Sequence, residues 1–573
     1  MTSEIDWDED LPAQPEEEIS AFVRTLERSQ GFRLLFVRCT PVEGEELIIK
    51  VKEDLPKKTI EVLRFDEPID NLYEIVKKLP NREQINILFI QGLEHSLYEY
   101  EQTKFGEKSE RFAYSWKGIP KILNHLNLHR ERFRDTFNIC FVFLLRSFSL
   151  KYFIHRAPDF FDWRSSIFEF PTKPELLEQE SSRLIDEGDY KKYLSLTPQQ
   201  KIQKILEIEE LLEEKHQTLD KKAELLREQG RLQIAAQEYE AAFEALDKAV
   251  EIKPDYHQAW YNRGNALRQL GRLEEALASY DKAVEIKPDY HDAWNNRGIA
   301  LDDLGRLEEA IASYDKAVEI KPDDHLAWGN RGIALRELGR LEEAIASYDK
   351  AVEIKPDYHE AWNNRGIALR KLGRLEEAIA SYDKAIEIKP DDHQAWYSRG
   401  IALRQLGRLE EAIGSYDKAV EIKPDYHQAW YSRGLVLRQL GRLEEAIASY
   451  DKAVEIKPDK HEAWYNRGIA LRDLGRLEEA IASYDKAVEI KPDKHEAWYN
   501  KARCYALQNN IDQAIENLQI AINLNPEEYR EMAKTDSDFA SIRNHDRFQK
   551  LIYKAQSSQR KWGLLGWFSR FIN

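Results

Sequence analysis

A proline returns every 34 residues through the second half of the chain, at Pro254, Pro288, Pro322, Pro356, Pro390, Pro424, Pro458, Pro492 and Pro526. Trp260 keeps the same step as Trp294, Trp328, Trp362, Trp396, Trp430, Trp464 and Trp498. Such a period marks an array of stacked units, each unable to bury its own apolar face. Eight full units run from His257 to Glu528. With His257 as position 1, apolar or small residues fall at 3, 4, 8, 10, 11 and 14, then at 20, 21, 24, 27, 28 and 30. Both sets have helical spacing. Gly at position 15 separates the two helices and Pro at 32 closes the second. Asp at 33 with Gln or Glu at the next position 2 is a capping-box pattern.

This pattern resembles the tetratricopeptide repeat family. The family's signature residues stand here as Trp260, Gly264, Ala276, Tyr280, Ala283 and Pro288, and they recur through the units. Arg263 departs from the family's usual Leu at position 7, and Leu267 from its usual Tyr at position 11. The last unit carries Ala502 and Asn509 at positions 8 and 15. The resemblance implies a mainly α fold, a right-handed solenoid in which helix-turn-helix hairpins form a superhelix. Residues 223–256 read as a degenerate first unit, with Leu226 where Trp belongs. Residues 529–555 read as a closing helix, with Phe539, Ile542, Phe548 and Leu551 covering the last open face.

Variation among the units concentrates on the first helix, where positions 2, 5, 9, 12 and 13 share one face. The resemblance implies that this face lines a concave groove. Tyr261, Tyr397, Tyr431 and Tyr465 stand at position 5. Asn262, Asn296, Asn330, Asn364, Asn466 and Asn500 stand at position 6. An amide donates and accepts, so these asparagines could pair with an extended peptide backbone; alternatively they tidy their own helices. Arg336, Arg370, Arg404, Arg438 and Arg472 stand at position 12, with Arg268 in the first unit and Asp302 in the second. They suit an acidic or phosphorylated partner, or they pair with acids of neighbouring units. Position 2 reads as a cap before it reads as a ligand contact. Histidine fills position 1 throughout, but packed helices lie about 8–10 Å apart, too far to share one ion. A first-turn packing role is expected.

Residues 19–171 have another rhythm. Strands are expected at 32–39, 59–65, 85–91, 138–145 and 166–170, with helices between, which implies a mostly parallel sheet in an α/β domain. The order weakly resembles the P-loop NTPase-like (STAND-like) modules of bacterial signalling proteins. The first strand, however, runs into Thr40–Lys50 without a phosphate-cradling glycine and lysine pattern. Gln91 stands where a magnesium-holding acid is expected, and Gly106–Ser109 has the wrong order. We read a silent or docking domain. Residues 172–222 form a helical connector, with Ile202, Ile205, Ile208 and Leu212 on one side.

The net charge of −18 opposes a general grip on nucleic acid. The first 18 residues hold eight acids and no base, an acidic disordered arm. Residues 556–573 form a basic, aromatic tail that suits either peripheral membrane contact or packing on the protein. Cys39, Cys140 and Cys504 make no disulfide framework, and no leader is evident, so a cytoplasmic location is expected. The expected function is a non-enzymatic scaffold binding an extended segment of a partner protein, without cofactor, metal or catalytic residues. A nucleotide-dependent switch and a membrane-associated assembly factor are the alternatives.

Overall fold

The computed structural model describes residues 15–97, 120–170, 172–214 and 216–553. Most of the acidic arm, the Gly106–Ser109 segment and the basic tail lie outside the described residues. The chain forms two bodies, residues 1–320 and 321–573. Both contain tandem helix hairpins, and the first also carries a small parallel sheet.

The head runs α1 (Pro15–Arg28), β1 (Arg33–Arg38), α2 (Pro41–Asp54), β2 (Ile60–Arg64), α3 (Leu72–Lys77) and β3 (Ile87–Gln91). After these come α4 (Lys121–Thr136), β4 (Cys140–Leu145), α5 (Ser147–Arg156), α6 (Pro158–Phe161) and β5 (Ser166–Glu169). The sheet order is β2-β3-β4-β1-β5, and each neighbouring pair is parallel. Strand alternation splits the core in two. Leu34, Phe36, Phe141 and Phe143 pack with α3 to α6, while Leu35, Val37, Val142 and Leu144 pack with α1 and α2. Both faces of the inner strands β3, β4 and β1 are covered, so these read as continuous apolar runs, while the edge strands β2 and β5 carry exposed Glu61 and Glu169.

The connector follows as α7 (Pro174–Asp186), α8 (Tyr190–Ser195) and α9 (Pro198–Glu213). Its apolar stripe divides between two cores. Ile202 and Leu206 join the head, whereas Ile205 and Ile208 pack with Leu225 and Leu232 of the degenerate unit.

Each full unit is a hairpin of a 13-residue and a 14-residue helix, as in His359–Lys371 and Leu375–Ile388. Between them Gly373 adopts φ +78°, and the Arg374 amide donates to the Leu369 carbonyl at 3.0 Å. This left-handed stop suits glycine, and Asn509 fills it in the last unit at φ 59°. The capping box expected from Asp at position 33 does not form. The N-cap is position 34, and a side chain caps the helix only where that residue is Asp, at Asp324 and Asp392. Position 33 lies one residue too early to reach the first-turn amides.

The departure at position 7 has a physical reason. Arg365 donates from Nε to Asp349 of the preceding unit at 2.6 Å and from an Nη to Ser381 of its own second helix at 2.7 Å. Arg399, Arg433 and Arg467 repeat this clasp in the second body, and Arg297 makes it in the first. Each Trp indole donates to the carbonyl of the preceding loop proline, as Trp362 does to Pro356 at 3.0 Å. Three position-1 histidines, His257, His325 and His393, pack edge-on against Tyr290, Tyr358 and Tyr426, the last pair at 5.0 Å.

The array closes with helices at Pro526–Thr535 and Asp546–Tyr553 and a short turn between them. Tyr529, Phe539, Ile542 and Phe548 cover Tyr499, Ala502 and Leu518 of the last unit. Arg503 ties the cap down through Asp536 and Asp538.

Candidate functional site

In units one to seven positions 3, 8, 10 and 11 of the first helix are buried, because they face the second helix and the neighbouring unit. In units four to seven, positions 5, 9 and 12 stay half-buried and position 13 is exposed. Each of these units therefore leaves one first-helix face open, and Tyr397, Tyr431, Tyr465, Arg370, Arg404, Arg438 and Arg472 lie on it.

These residues meet one another across unit boundaries. In the first body, Asn296 donates to the Tyr261 hydroxyl at 3.1 Å and to Asn265 at 2.8 Å; Asn265 in turn accepts from Tyr280 at 2.8 Å. In the second body, Asn466 donates to Tyr431 at 3.1 Å and Asn500 to Tyr465 at 3.0 Å. Arg336 donates to Asn364 and Arg472 to Asn500, both at 2.8 Å. Position 6 of one unit thus holds positions 5 and 12 of the unit before it. Asn466 and Asn500 are only 9% and 8% exposed, so these two amides are spent largely inside the protein. Asn262, Asn330 and Asn364 are half-buried. At Ser432, one of the two positions where Ser replaces Asn, the hydroxyl stands 3.5 Å from that of Tyr397, and the bridge is weaker.

The position-12 arginines differ among themselves. Arg336 and Arg472 have acids beside them, Glu337 and Asp473. Arg370, Arg404 and Arg438 form no ion pair among the described residues, and the buried Nε of each makes no hydrogen bond. Tyr382 and Tyr450 lie close beneath Arg370 and Arg438; burial pushes the Tyr382 hydroxyl up to about 12, against the pull of Arg370.

Two further groups stand on or beside this face. Ile367, Ile401 and Leu435 at position 9 form a half-buried apolar row one turn from the arginines. Tyr290 and Tyr426 at position 34 pack on Tyr261 and Tyr397, each pair 5.1 Å apart. Counting a unit from its histidine hides that second group, because it belongs to the inter-unit turn.

The head has its own crevice at the carboxyl ends of its strands, where crossovers from β1 and β4 leave in opposite directions and ligands commonly bind in such sheets. A cavity of about 300 Å³ is lined there by Thr40, Arg64, Gln91, His95 and Arg146. Two features make it a poor phosphate site. The Thr40 amide and hydroxyl both donate to Glu43 at 2.9 Å, closing the α2 terminus with a capping box. The connector brings Glu214 onto Arg38 at 3.0 Å and Glu210 onto Arg146 at 3.2 Å, while Glu213 takes Lys151. The cations nearest the crevice are already matched by carboxylates. Among the described residues no cluster of His, Cys, Asp or Glu is arranged to hold a metal, and no helix is long and apolar enough to cross a membrane.

Tetratricopeptide repeat models match residues 287–325, 296–359, 330–393, 363–427 and 399–461. Related repeat models match 230–271 and 264–305, and 461–494 and 495–528. Together they span more than half of the 573 residues. The chain belongs to the tetratricopeptide repeat family. Uncharacterized protein MJ0572 of Methanocaldococcus jannaschii is 54% identical over 37 residues, 6% of this chain and 43% of that protein. The chain thus spans under half the length of this curated relative. Among solved structures, YrrB, described as a TPR protein with an unusual peptide-binding site, is 29% identical. That match covers 31% of this chain and 93% of YrrB, with a TM-score of 0.30. A MamA structure is 27% identical over 30% of this chain and 94% of its own, with a TM-score of 0.28. A tetratricopeptide repeat protein of Parabacteroides merdae is 21% identical over 44% and 99%, with a TM-score of 0.35. The tetratricopeptide repeats make the chain a scaffold for protein–protein interaction.

Proposed function

We propose that the open first-helix face binds an extended segment of a partner protein, without catalysis. The observation that carries this reading is the register of that face. Tyr at position 5, an aliphatic at position 9 and Arg at position 12 recur once per unit in units five to seven. Bonds such as Arg472 to Asn500 and Asn500 to Tyr465 fix their rotamers in advance, which lowers the entropy lost on binding. An extended chain presents side chains at a regular rise and can meet such a ladder unit by unit.

Photo-crosslinking in cells of the source organism tests the reading. A benzoylphenylalanine is placed at Gln405 or Gln439 on the open face, and at Lys418 or Lys452 on the second helices as controls. Crosslinks to one contiguous partner segment from the first pair alone are expected. Crosslinks only from the controls would move the interaction off this face.

A further inference from the structure

We propose that units four to six recognise an acidic segment, with a carboxylate or phosphate at about every third residue. This rests on the groove reading above and adds the chemistry of the partner.

The argument begins with a census of arginines in the second body. Those at position 16 are each clasped by a glutamate one turn on, as Arg374 is by Glu377 and Arg442 by Glu445. Those at position 7 reach an aspartate of the preceding unit at 2.5–2.6 Å in Arg365, Arg399, Arg433 and Arg467. Arg370, Arg404 and Arg438 break the rule: they are half-buried and have no carboxylate partner among the described residues. Their neighbours at position 13 are Lys371, Gln405 and Gln439, so no acid stands beside them on the face. The first-turn acids Glu360 and Glu462 stand against His359 at 2.8 Å and Lys460 at 3.2 Å. At position 13 acids return at the margins, at Glu337 and Asp473. A half-buried guanidinium is stabilised by an opposite charge, and here the described residues supply none.

Spacing sets the partner's period. Successive first helices pack on one another at roughly 8–10 Å, and an extended chain rises about 3.3 Å per residue. One unit therefore corresponds to about three residues, and three arginines to a segment of about seven. Ile367, Ile401 and Leu435, one turn from the arginines, favour aliphatic side chains between the acids.

Fluorescence anisotropy of the full chain with three labelled peptides tests the proposal. They carry Glu, phosphoserine or Gln at every third position, separated by Val-Ser. The Glu and phosphoserine peptides should bind, more weakly as salt rises, and the tighter of the two identifies the source of the anion. The Gln peptide should bind about tenfold more weakly, as should the Glu peptide to Arg370→Gln/Arg404→Gln/Arg438→Gln. Lysine at those three positions should retain binding, and so should Arg374→Gln/Arg408→Gln/Arg442→Gln, which removes arginines that already have partners. Circular dichroism checks that each variant is folded. Equal binding of the Glu and Gln peptides, no binding of any peptide, wild-type binding by the first triple variant, or tighter binding of oligouridylate overturns the proposal. A non-acidic segment crosslinked at Gln405 would overturn it while leaving the groove reading intact.

Discussion

The ring of Tyr382 occupies the space that a side chain on Gly366 would need: a Cβ there would lie 2.5 Å from Tyr382 Cε1. The same approach joins Gly400 to Tyr416 and Gly434 to Tyr450. Glycine weakens a helix interior by about 1 kcal/mol relative to alanine, so the array gives up helix propensity for tyrosine packing. Gly366→Ala should therefore destabilise the protein by about 1–3 kcal/mol through overpacking, despite the propensity gain. Adding Tyr382→Leu should recover part of that loss, since the last unit pairs Ala502 with Leu518 in one core. Urea unfolding of both variants measures this; wild-type stability in Gly366→Ala would refute the steric account.

The asparagines at position 6 should separate into two classes. Asn500 donates to Tyr465 and accepts from Arg472 and Arg503 at 2.8 and 3.1 Å. Asn500→Ala leaves those groups short of a partner and should cost about 1–3 kcal/mol. Asn262 is half-buried, and no side-chain bond is described for it. Asn262→Ala should change stability by less than about 0.5 kcal/mol. Equal losses on thermal unfolding would remove the distinction. The comparison also bears on binding, because a weakened partner interaction in Asn500→Ala would reflect released Tyr and Arg rotamers as well as a lost amide.

Much of the fold was legible because period and burial coincide. The 34-residue step fixes hairpin length, and the three continuous apolar runs of β1, β3 and β4 suit strands covered on both faces. What escaped the sequence depends on neighbours that it does not order. Position 6 presents itself as a free amide until the next unit brings it to Tyr465 and Arg472. Position 12 presents one arginine row, yet in the second body Arg370, Arg404 and Arg438 stay without a carboxylate among the described residues, whereas Arg336 and Arg472 have one beside them. The partner residues lie about 28–35 positions away, beyond any helical pattern. Glu210, Glu213 and Glu214 look like a solvated face of the connector, and only the tertiary fold brings them to the carboxyl end of the sheet.

The three thiols should be inert in the folded protein. Cys39, Cys140 and Cys504 are all buried and free. Burial pushes Cys140 up to about 11 and Cys504 up to about 12, and it raises Cys39 further, with Glu43 and Glu94 adding to the effect. The thiolate is the reactive form, so none is populated near neutral pH. Ellman's reagent at pH 8 should titrate three thiols in urea and none in native buffer. Rapid native reaction of even one would show that its surroundings open readily.

Glu210 should make the head less stable as pH rises. Burial lifts its carboxyl from an ordinary 4.5 to about 7, against the pull of Arg146 and the Phe148 amide, and Glu94 adds to the rise. One carboxyl oxygen, Oε1, is buried without a hydrogen-bond partner. Between pH 4.5 and 7 the folded protein keeps a proton here that the unfolded chain has released. Unfolding then releases a proton, and linkage requires stability to fall as pH climbs through that window. The loss amounts to about 3 kcal/mol at most. Glu210→Gln removes the titration, so its advantage over wild type should be small at pH 5 and should grow until pH 8. Urea unfolding of the full chain, followed by hydrogen exchange of the head's strand amides in both proteins across this range, measures the difference. Parallel stability curves would mean that Glu210 ionises freely in the fold and that the Arg146 contact is open to solvent.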